Sequence, residues 1–211
     1  MKLKAVFFDI DGTLLNTHEY IYQSFEFALA KHHKPILRKE LQKIMGKPLD
    51  ECYRILTKMQ KIDELSASHR QFQHKNPHLV IPFPNTISTL EKLKEKGLLI
   101  AAISTRARDT VDQTLEETQI MHYINYILGF DDVIEPKPSP EGIQKALTYF
   151  GLKPQDAIMV GDSPVDVLAG KNAKTQTVGV TYGFHGEKIA EAKPDYVVDD
   201  IKEILTILRN Q

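Results

Sequence analysis

Apolar and polar residues follow two different periods along this chain, and the change of period divides it. Residues 5–8 form an unbroken apolar run that stops at Asp9, the signature of a short buried strand. From 16 to about 80 the spacing is helical. Ile21, Phe25, Ala28 and Leu29 form one stripe behind an Asn16-Thr17 cap, and Leu41, Ile44 and Met45 a second, ended by Gly46. Leu49, Cys52, Ile55, Leu56 and Met59 form a third, with Pro48 in its first turn, and Ile62, Leu65, His69 and Phe72 a weaker fourth. This stretch shows no convincing strand.

The texture changes at Val80-Ile81-Pro82-Phe83-Pro84. Two prolines there stiffen a short connector of the kind found at hinges and domain boundaries. Beyond it, strands and helices alternate. A helix from about Thr86 carries Ile87, Leu90 and Leu93 and stops at Gly97; the apolar run 98–103 ends at Ser104-Thr105. A helix with Val111 and Leu115, a strand over 124–128 and a helix from Ser139-Pro140 to Gly151 follow. Then come a strand over 157–160 meeting Gly161-Asp162, a short helix holding Val167 and Leu168, strands over 177–180 and 196–198, and a helix over 204–208. Such alternation predicts an α/β fold, a Rossmann-like parallel sheet flanked by helices with right-handed crossovers. The lone first strand needs partners, so residues 1–15 and 82–211 read as one domain and the helical residues 16–81 as an insertion after its first strand.

Composition narrows the function classes. The 211 residues are 42% hydrophobic and 26% charged with formal net charge −1, an ordinary globular profile that offers no basic field for nucleic acid or an anionic membrane. Lys31-His32-His33-Lys34 is the one conspicuous basic cluster and reads as a solvated helix end. The lone Cys52 excludes an intramolecular disulfide and, at helical spacing among apolar residues, reads as packing. The apolar run at the start is too short for a signal peptide, and none reaches the length of a membrane span. A cytoplasmic protein is expected.

Candidate chemistry gathers where apolar runs end, because ligands of open α/β sheets bind beyond the carboxyl ends of the strands. The first run ends in Asp9-Ile10-Asp11-Gly12-Thr13, the second in Ser104-Thr105, the third in Gly161-Asp162-Ser163 with Asp166 close behind. Asp9 and Asp11 share a side if the extended geometry persists. Gly12 permits a turn with open amides, and Thr13 adds a hydroxyl. Lys137, between prolines in Glu135-Pro136-Lys137-Pro138, lies in a loop between the second and third runs; Glu135 is a weaker candidate. Ionised aspartates with ordinary pKa near ~3.9 would repel one another without a cation. Several carboxylates beside a lysine suit Mg²⁺ and a phosphate dianion.

These four motifs, in this order, resemble the haloacid dehalogenase (HAD) superfamily, in its branch of small phosphatases with a helical (C1-type) cap after the first strand. The resemblance implies an aspartyl-phosphate mechanism: Asp9 as nucleophile, Asp11 as general acid and then base, Ser104 and Lys137 as phosphate-binding and charge-neutralising groups. It implies Mg²⁺ held by Asp9, Asp11 and Asp162, with Asp166 in support. Gly12, Thr13 and Thr105 would meet the phosphate. Thr105 stands where many relatives carry Asn, and Ala173-Lys174 where Ala-Gly is usual. Dehalogenases lack the second aspartate. The related mutases carry a histidine near Ile21 and an arginine after the cap's glycine loop, where this chain has Gly46-Lys47-Pro48-Leu49. His18, nearby, reads as a surface residue at a helix start.

Hydrolysis of a small phosphorylated metabolite is the expectation, with phosphoglycolate phosphatases and pyrophosphatases the most similar relatives. Lys47 is a candidate for the far end of an anionic substrate, beside the alternative of a solvated lysine. Inorganic pyrophosphatase activity is one alternative, and a non-catalytic phosphate-binding regulator another. The chain is expected to act as monomer or homodimer, without nucleic acid or membrane.

Overall fold

The structure, a computed structural model, describes residues 3–30 and 35–209; the basic cluster at 31–34 lies outside the described residues. β1 (Ala5–Phe8) and β2 (Leu15–Asn16) lead into four helices: α1 (His18–Ala30), α2 (Arg38–Gln42), α3 (Leu49–Thr57) and α4 (Asp63–Lys75). After β3 (Ile81–Pro82) the order is α5 (Thr86–Glu95), β4 (Leu99–Ile103), α6 (Arg108–Glu117), β5 (Tyr126–Leu128) and α7 (Glu141–Phe150). The chain continues through β6 (Ala157–Gly161), α8 (Pro164–Ala173), β7 (Gln176–Val180), β8 (Tyr196–Val198) and α9 (Ile204–Ile207).

The main sheet has the order β5-β4-β1-β6-β7-β8, with every pairing parallel. Both faces are covered, and β1 shows why its sequence is apolar throughout. Val6 and Phe8 join one cluster with Leu90, Leu93, Val111 and Leu115, from α5 and α6. Ala5 and Phe7 face the other way, into a cluster with Ile143 and Leu147 of α7 and Ala169 of α8. Successive strand residues point to opposite faces, and a strand buried on both sides reads as an unbroken apolar run. From β1 the chain builds outward to β4 and β5, then crosses back to place β6 on β1's other side. The carboxyl end of β1 is therefore the point where the winding direction reverses, and such a point opens a crevice.

The four helices between β2 and β3 bury an apolar cluster of their own, with Phe25, Leu29, Cys52, Tyr53 and Leu65 in it. Phe184, from the loop after β7, enters the same cluster. Three expectations are corrected here. The second helix is shorter than its stripe, ending at Gln42 and continuing as turns to Gly46. Pro48 caps α3 from outside its first turn, its carbonyl accepting the Cys52 amide at 3.0 Å. The third concerns the ends of the helical segment, which carry strand after all: β2 and β3 pair antiparallel, Leu15 with Pro82 and Asn16 with Ile81. The stiff connector is thus tied to the chain entering the helices, and Phe83 N adds a bond to Leu14 O at 3.1 Å.

Candidate active site

Register sets the site. Phe8 of β1 lies level with Ala102 of β4 and Val160 of β6, so the first residues beyond the three central strands converge at one edge. The Asp9 amide still bonds Val160 O at 2.9 Å, but the extended geometry stops there. The Ile10 carbonyl collects the amides of Thr13, Leu14 and Leu15 at 2.9–3.3 Å, so a tight turn, not a strand pleat, brings Asp11 back into the cavity that Asp9 lines. Gly12 sits in that turn at φ +83°; a side chain would be strained and would strike Asp162 and the Phe184 ring.

Lys137 is the hub. Its ammonium donates to Asp9 Oδ1 at 2.6 Å, Asp166 Oδ1 at 2.6 Å and Ile103 O at 2.8 Å, which uses all three of its protons. Asp166 Oδ2 accepts the Ser163 amide at 3.1 Å and the Ser163 hydroxyl at 2.5 Å. Both oxygens of Asp166 are thereby committed, and Ser163 serves the turn into α8. Asp162 Oδ2 accepts the Phe184 amide at 2.6 Å. Among the described residues no hydrogen bond engages Asp9 Oδ2 or Asp162 Oδ1.

Electrostatics show what this cluster lacks. Burial, with Asp166 and Asp11 adding repulsion, outweighs Lys137 and pushes the Asp9 carboxyl up to about 7. Burial and the Asp9 and Asp166 charges likewise raise Asp162 well above the ordinary carboxylate range. Burial alone would lower Lys137, yet Asp166 and Asp9 hold it above the usual lysine range. Negative charge exceeds what one ammonium offsets. Oxygens of Asp9, Asp162 and Asp166 lie within 4.8 Å of one another, and this all-oxygen donor set fits a hard divalent cation.

The remaining expected residues divide. Ser104 is buried, its hydroxyl accepting the Arg106 amide at 3.1 Å. Thr13 is fully buried and, among the described residues, its hydroxyl has no hydrogen-bond partner. Thr105 and Lys47 line the same cavity as Asp9 and Asp11, but the Lys47 ammonium is paired with Glu51. Glu135 is exposed and stands apart from this cavity. Cys52 is a packing residue whose thiol burial pushes up to about 12. His18 is half-buried rather than on the surface, its ring against Phe184 at 4.2 Å and its Nδ1 2.9 Å from Asn16 Oδ1.

Two residues of the cavity were not singled out as functional from sequence. Arg106 lies two positions beyond Ser104, and its Nη1 is 3.4 Å from Asp11 Oδ1; its place just after a strand-ending hydroxyl pair was the signal available. His69 was read only as part of a helical stripe. It is buried against Tyr53, whose hydroxyl lies 3.0 Å from Nδ1, and burial lowers its ring to about 3, so it is neutral. Together α1, α3, α4, the loop between α2 and α3 and the loops after β1, β4, β5 and β7 line a cavity of ≈ 90 Å³ above Asp9 and Asp11.

Comparison with known proteins agrees with this geometry. A family described as haloacid dehalogenase-like hydrolase matches residues 6–180. Pyrophosphatase PpaX of Bacillus cereus is 36% identical over 99% of this chain and 97% of its own, and PpaX of Bacillus mycoides is 36% identical over 99% and 98%. The crystal structure of a predicted phosphoglycolate phosphatase from Haemophilus somnus superposes with TM-score 0.89 at 30% identity, covering 98% of each chain. A haloacid dehalogenase-like family hydrolase from Streptococcus pneumoniae superposes with TM-score 0.87 at 26% identity, over 97% of this chain and 98% of that one. By sequence and fold, the chain belongs to the haloacid dehalogenase-like hydrolases and is an enzyme of that family's phosphatase type.

Proposed function

We propose that this enzyme is a Mg²⁺-dependent phosphatase that hydrolyses a small phosphate monoester, phosphoglycolate-like or a sugar phosphate, through a phosphoryl-enzyme formed on Asp9. The observation that carries the proposal is a buried carboxylate at the reversal point of the sheet, held by Lys137 and with one oxygen free of hydrogen bonds among the described residues. Asp9 attacks phosphorus, the bond from phosphorus to the leaving oxygen breaks, and Asp11 supplies the proton that oxygen takes up. Asp11 then removes a proton from water as the water attacks phosphorus, and the phosphorus bond to Asp9 breaks to release phosphate. Ser104 donates to a phosphoryl oxygen, with Gly12, Thr13 and Thr105 beside it, while Lys137 holds Asp9 in line and offsets charge.

Asp9, Asp11 and Asp162 would hold Mg²⁺, with Asp166 supporting them. Bound there, the ion supplies charge neutralisation for nucleophile and phosphoryl oxygens. Residues 16–81 act as a cap over the core formed by 1–15 and 82–211, excluding water from the cavity. Pyrophosphate is the second reading of the substrate, supported by the relatives named as pyrophosphatases over nearly the whole chain.

The test is phosphate release with Mg²⁺ from phosphoglycolate, pyrophosphate, hexose phosphates and an aryl phosphate, for the wild type and Asp9→Asn. Loss of at least ~10³-fold with an unchanged circular dichroism spectrum is expected for the variant. Equal release by both proteins would remove Asp9 as the nucleophile, and none by either from any compound would leave a binding or regulatory role in place of catalysis.

A further inference from the structure

We infer that Arg106 is the receptor for a second anionic group on the substrate, so that the enzyme selects short substrates carrying two anions. The inference rests on the phosphatase reading above and adds to it the chemical class of the leaving group.

Arg106 is an anomalous cation. Its side chain is only 8% exposed, yet among the described residues Nε and Nη1 have no hydrogen-bond partner. Only Nη2 is engaged, donating to Thr114 Oγ1 at 2.6 Å, while the guanidinium lies over the Tyr20 ring at 5.4 Å. A buried donor left unmade is costly, and more so when charged. The nearest anion is Asp11, but Nη1 stands 3.4 Å from Oδ1, too long for a good charge-assisted bond, and Oδ1 is itself buried and unpaired. The pair is held in proximity without being closed. A structural salt bridge would satisfy both groups; this one leaves buried donors unpaired on a residue that lines the cavity, where an entering anion could engage them.

Position assigns the ligand. The transferred phosphoryl group belongs next to Asp9, Ser104 and Lys137. Arg106 approaches Asp11, the group that protonates the leaving oxygen, and so it faces the leaving group. Its remaining N–H groups form a fork suited to a carboxylate or phosphate. The other cations nearby are worse placed for this role: Lys47 is paired with Glu51 and Arg70 is exposed at the rim. Because Nη1 lies 3.4 Å from the Asp11 carboxylate that serves the leaving oxygen, the second anion must stand close to the first.

The experiment compares kcat/KM for two-anion substrates, pyrophosphate and phosphoglycolate, with that for one-anion substrates, ethyl phosphate and p-nitrophenyl phosphate. It uses the full chain with Mg²⁺, as wild type, Arg106→Gln and Arg106→Lys. The ratio of two-anion to one-anion kcat/KM is expected to fall about ten- to a hundredfold in Arg106→Gln, the span of one charged hydrogen bond. Most of the fall should lie in KM, and Arg106→Lys should recover part of it. An equal loss on both classes would place the role of Arg106 on Asp11 or on the fold and overturn the inference, as would a ratio that moves less than about threefold. Should Arg106→Gln fail to fold, the Lys variant carries the same comparison.

If the wild type turns over none of these compounds, it is the phosphatase reading that has failed. The inference is then read by calorimetric titration with pyrophosphate and with inorganic phosphate. Tighter pyrophosphate binding that disappears in the variants supports it, and equal binding of both overturns it.

Discussion

At the scale of single residues, the site depends on which carboxylate oxygens are already spoken for. Asp166 gives one oxygen to Lys137 and the other to Ser163, so it positions the hub lysine and caps α8; Asp162 keeps an oxygen free among the described residues. Asp166→Asn cannot accept on both sides. It should lower kcat about 10–100-fold, as loss of a supporting partner does, and cost ~1–2 kcal/mol of stability through the broken cap. The Mg²⁺ concentration for half-maximal activity should move less than about threefold; a tenfold rise would make Asp166 a ligand instead. The acids were legible in sequence because each ends an apolar run. Arg106 was not, since a cation after a strand is ordinary and only its burial with Nε and Nη1 unpaired among the described residues makes it unusual.

At the scale of elements, helix ends and helix faces carry two further predictions. α8 ends at Lys174, which takes the left-handed conformation with φ 62°. That conformation costs a side-chain-bearing residue ~1–2 kcal/mol, against ~0.5–1 kcal/mol of extra unfolded-state freedom for glycine. Lys174→Gly should therefore stabilise the protein by about 0.5–1 kcal/mol in urea unfolding. The sequence marked this turn as unusual, and the structure shows the helix closing by the same geometry regardless. On α4, His69 faces Tyr53 and Phe25, with the Arg70 and Arg106 charges also acting on it, and its ring is held to about 3 against 6.5. The unfolded chain binds that proton more readily, so stability contributed by neutral His69 is complete above pH 6.5 and is lost as pH falls from 6.5 toward 3. The slope is at most ~1.4 kcal/mol per pH unit. His69→Gln should flatten the acid limb of melting temperature against pH relative to wild type; identical limbs would show that His69 does not titrate on unfolding. Most elements were readable from periodicity to within a few residues. β2 and β3 were not, because two-residue strands have no period to read.

For the whole molecule, the sheet order gathers four carboxylates at one crevice with a single lysine among them, and a divalent cation should stabilise the folded state alone. At a hundredfold excess over its Kd the gain is ~2.7 kcal/mol, roughly 5–10 °C in Tm for a chain of this size. Differential scanning calorimetry with Mg²⁺ and with chelator should show that increment in the wild type and little of it in Asp162→Asn. An increment that survives in Asp162→Asn would move the cation elsewhere. The sequence by itself determined the alternation of strands and helices, the run of helices that follows the first strand and the acids that close the strands, because burial periodicity and strand-ending polar residues are local properties of the chain. Only the tertiary structure decided that a turn rather than a pleat joins Asp9 to Asp11, that Asp166 is fully engaged, and that Arg106 and His69 line the cavity. Those facts depend on which distant segments share one dry volume, where a hydrogen bond made or left open between residues far apart in sequence sets the chemistry.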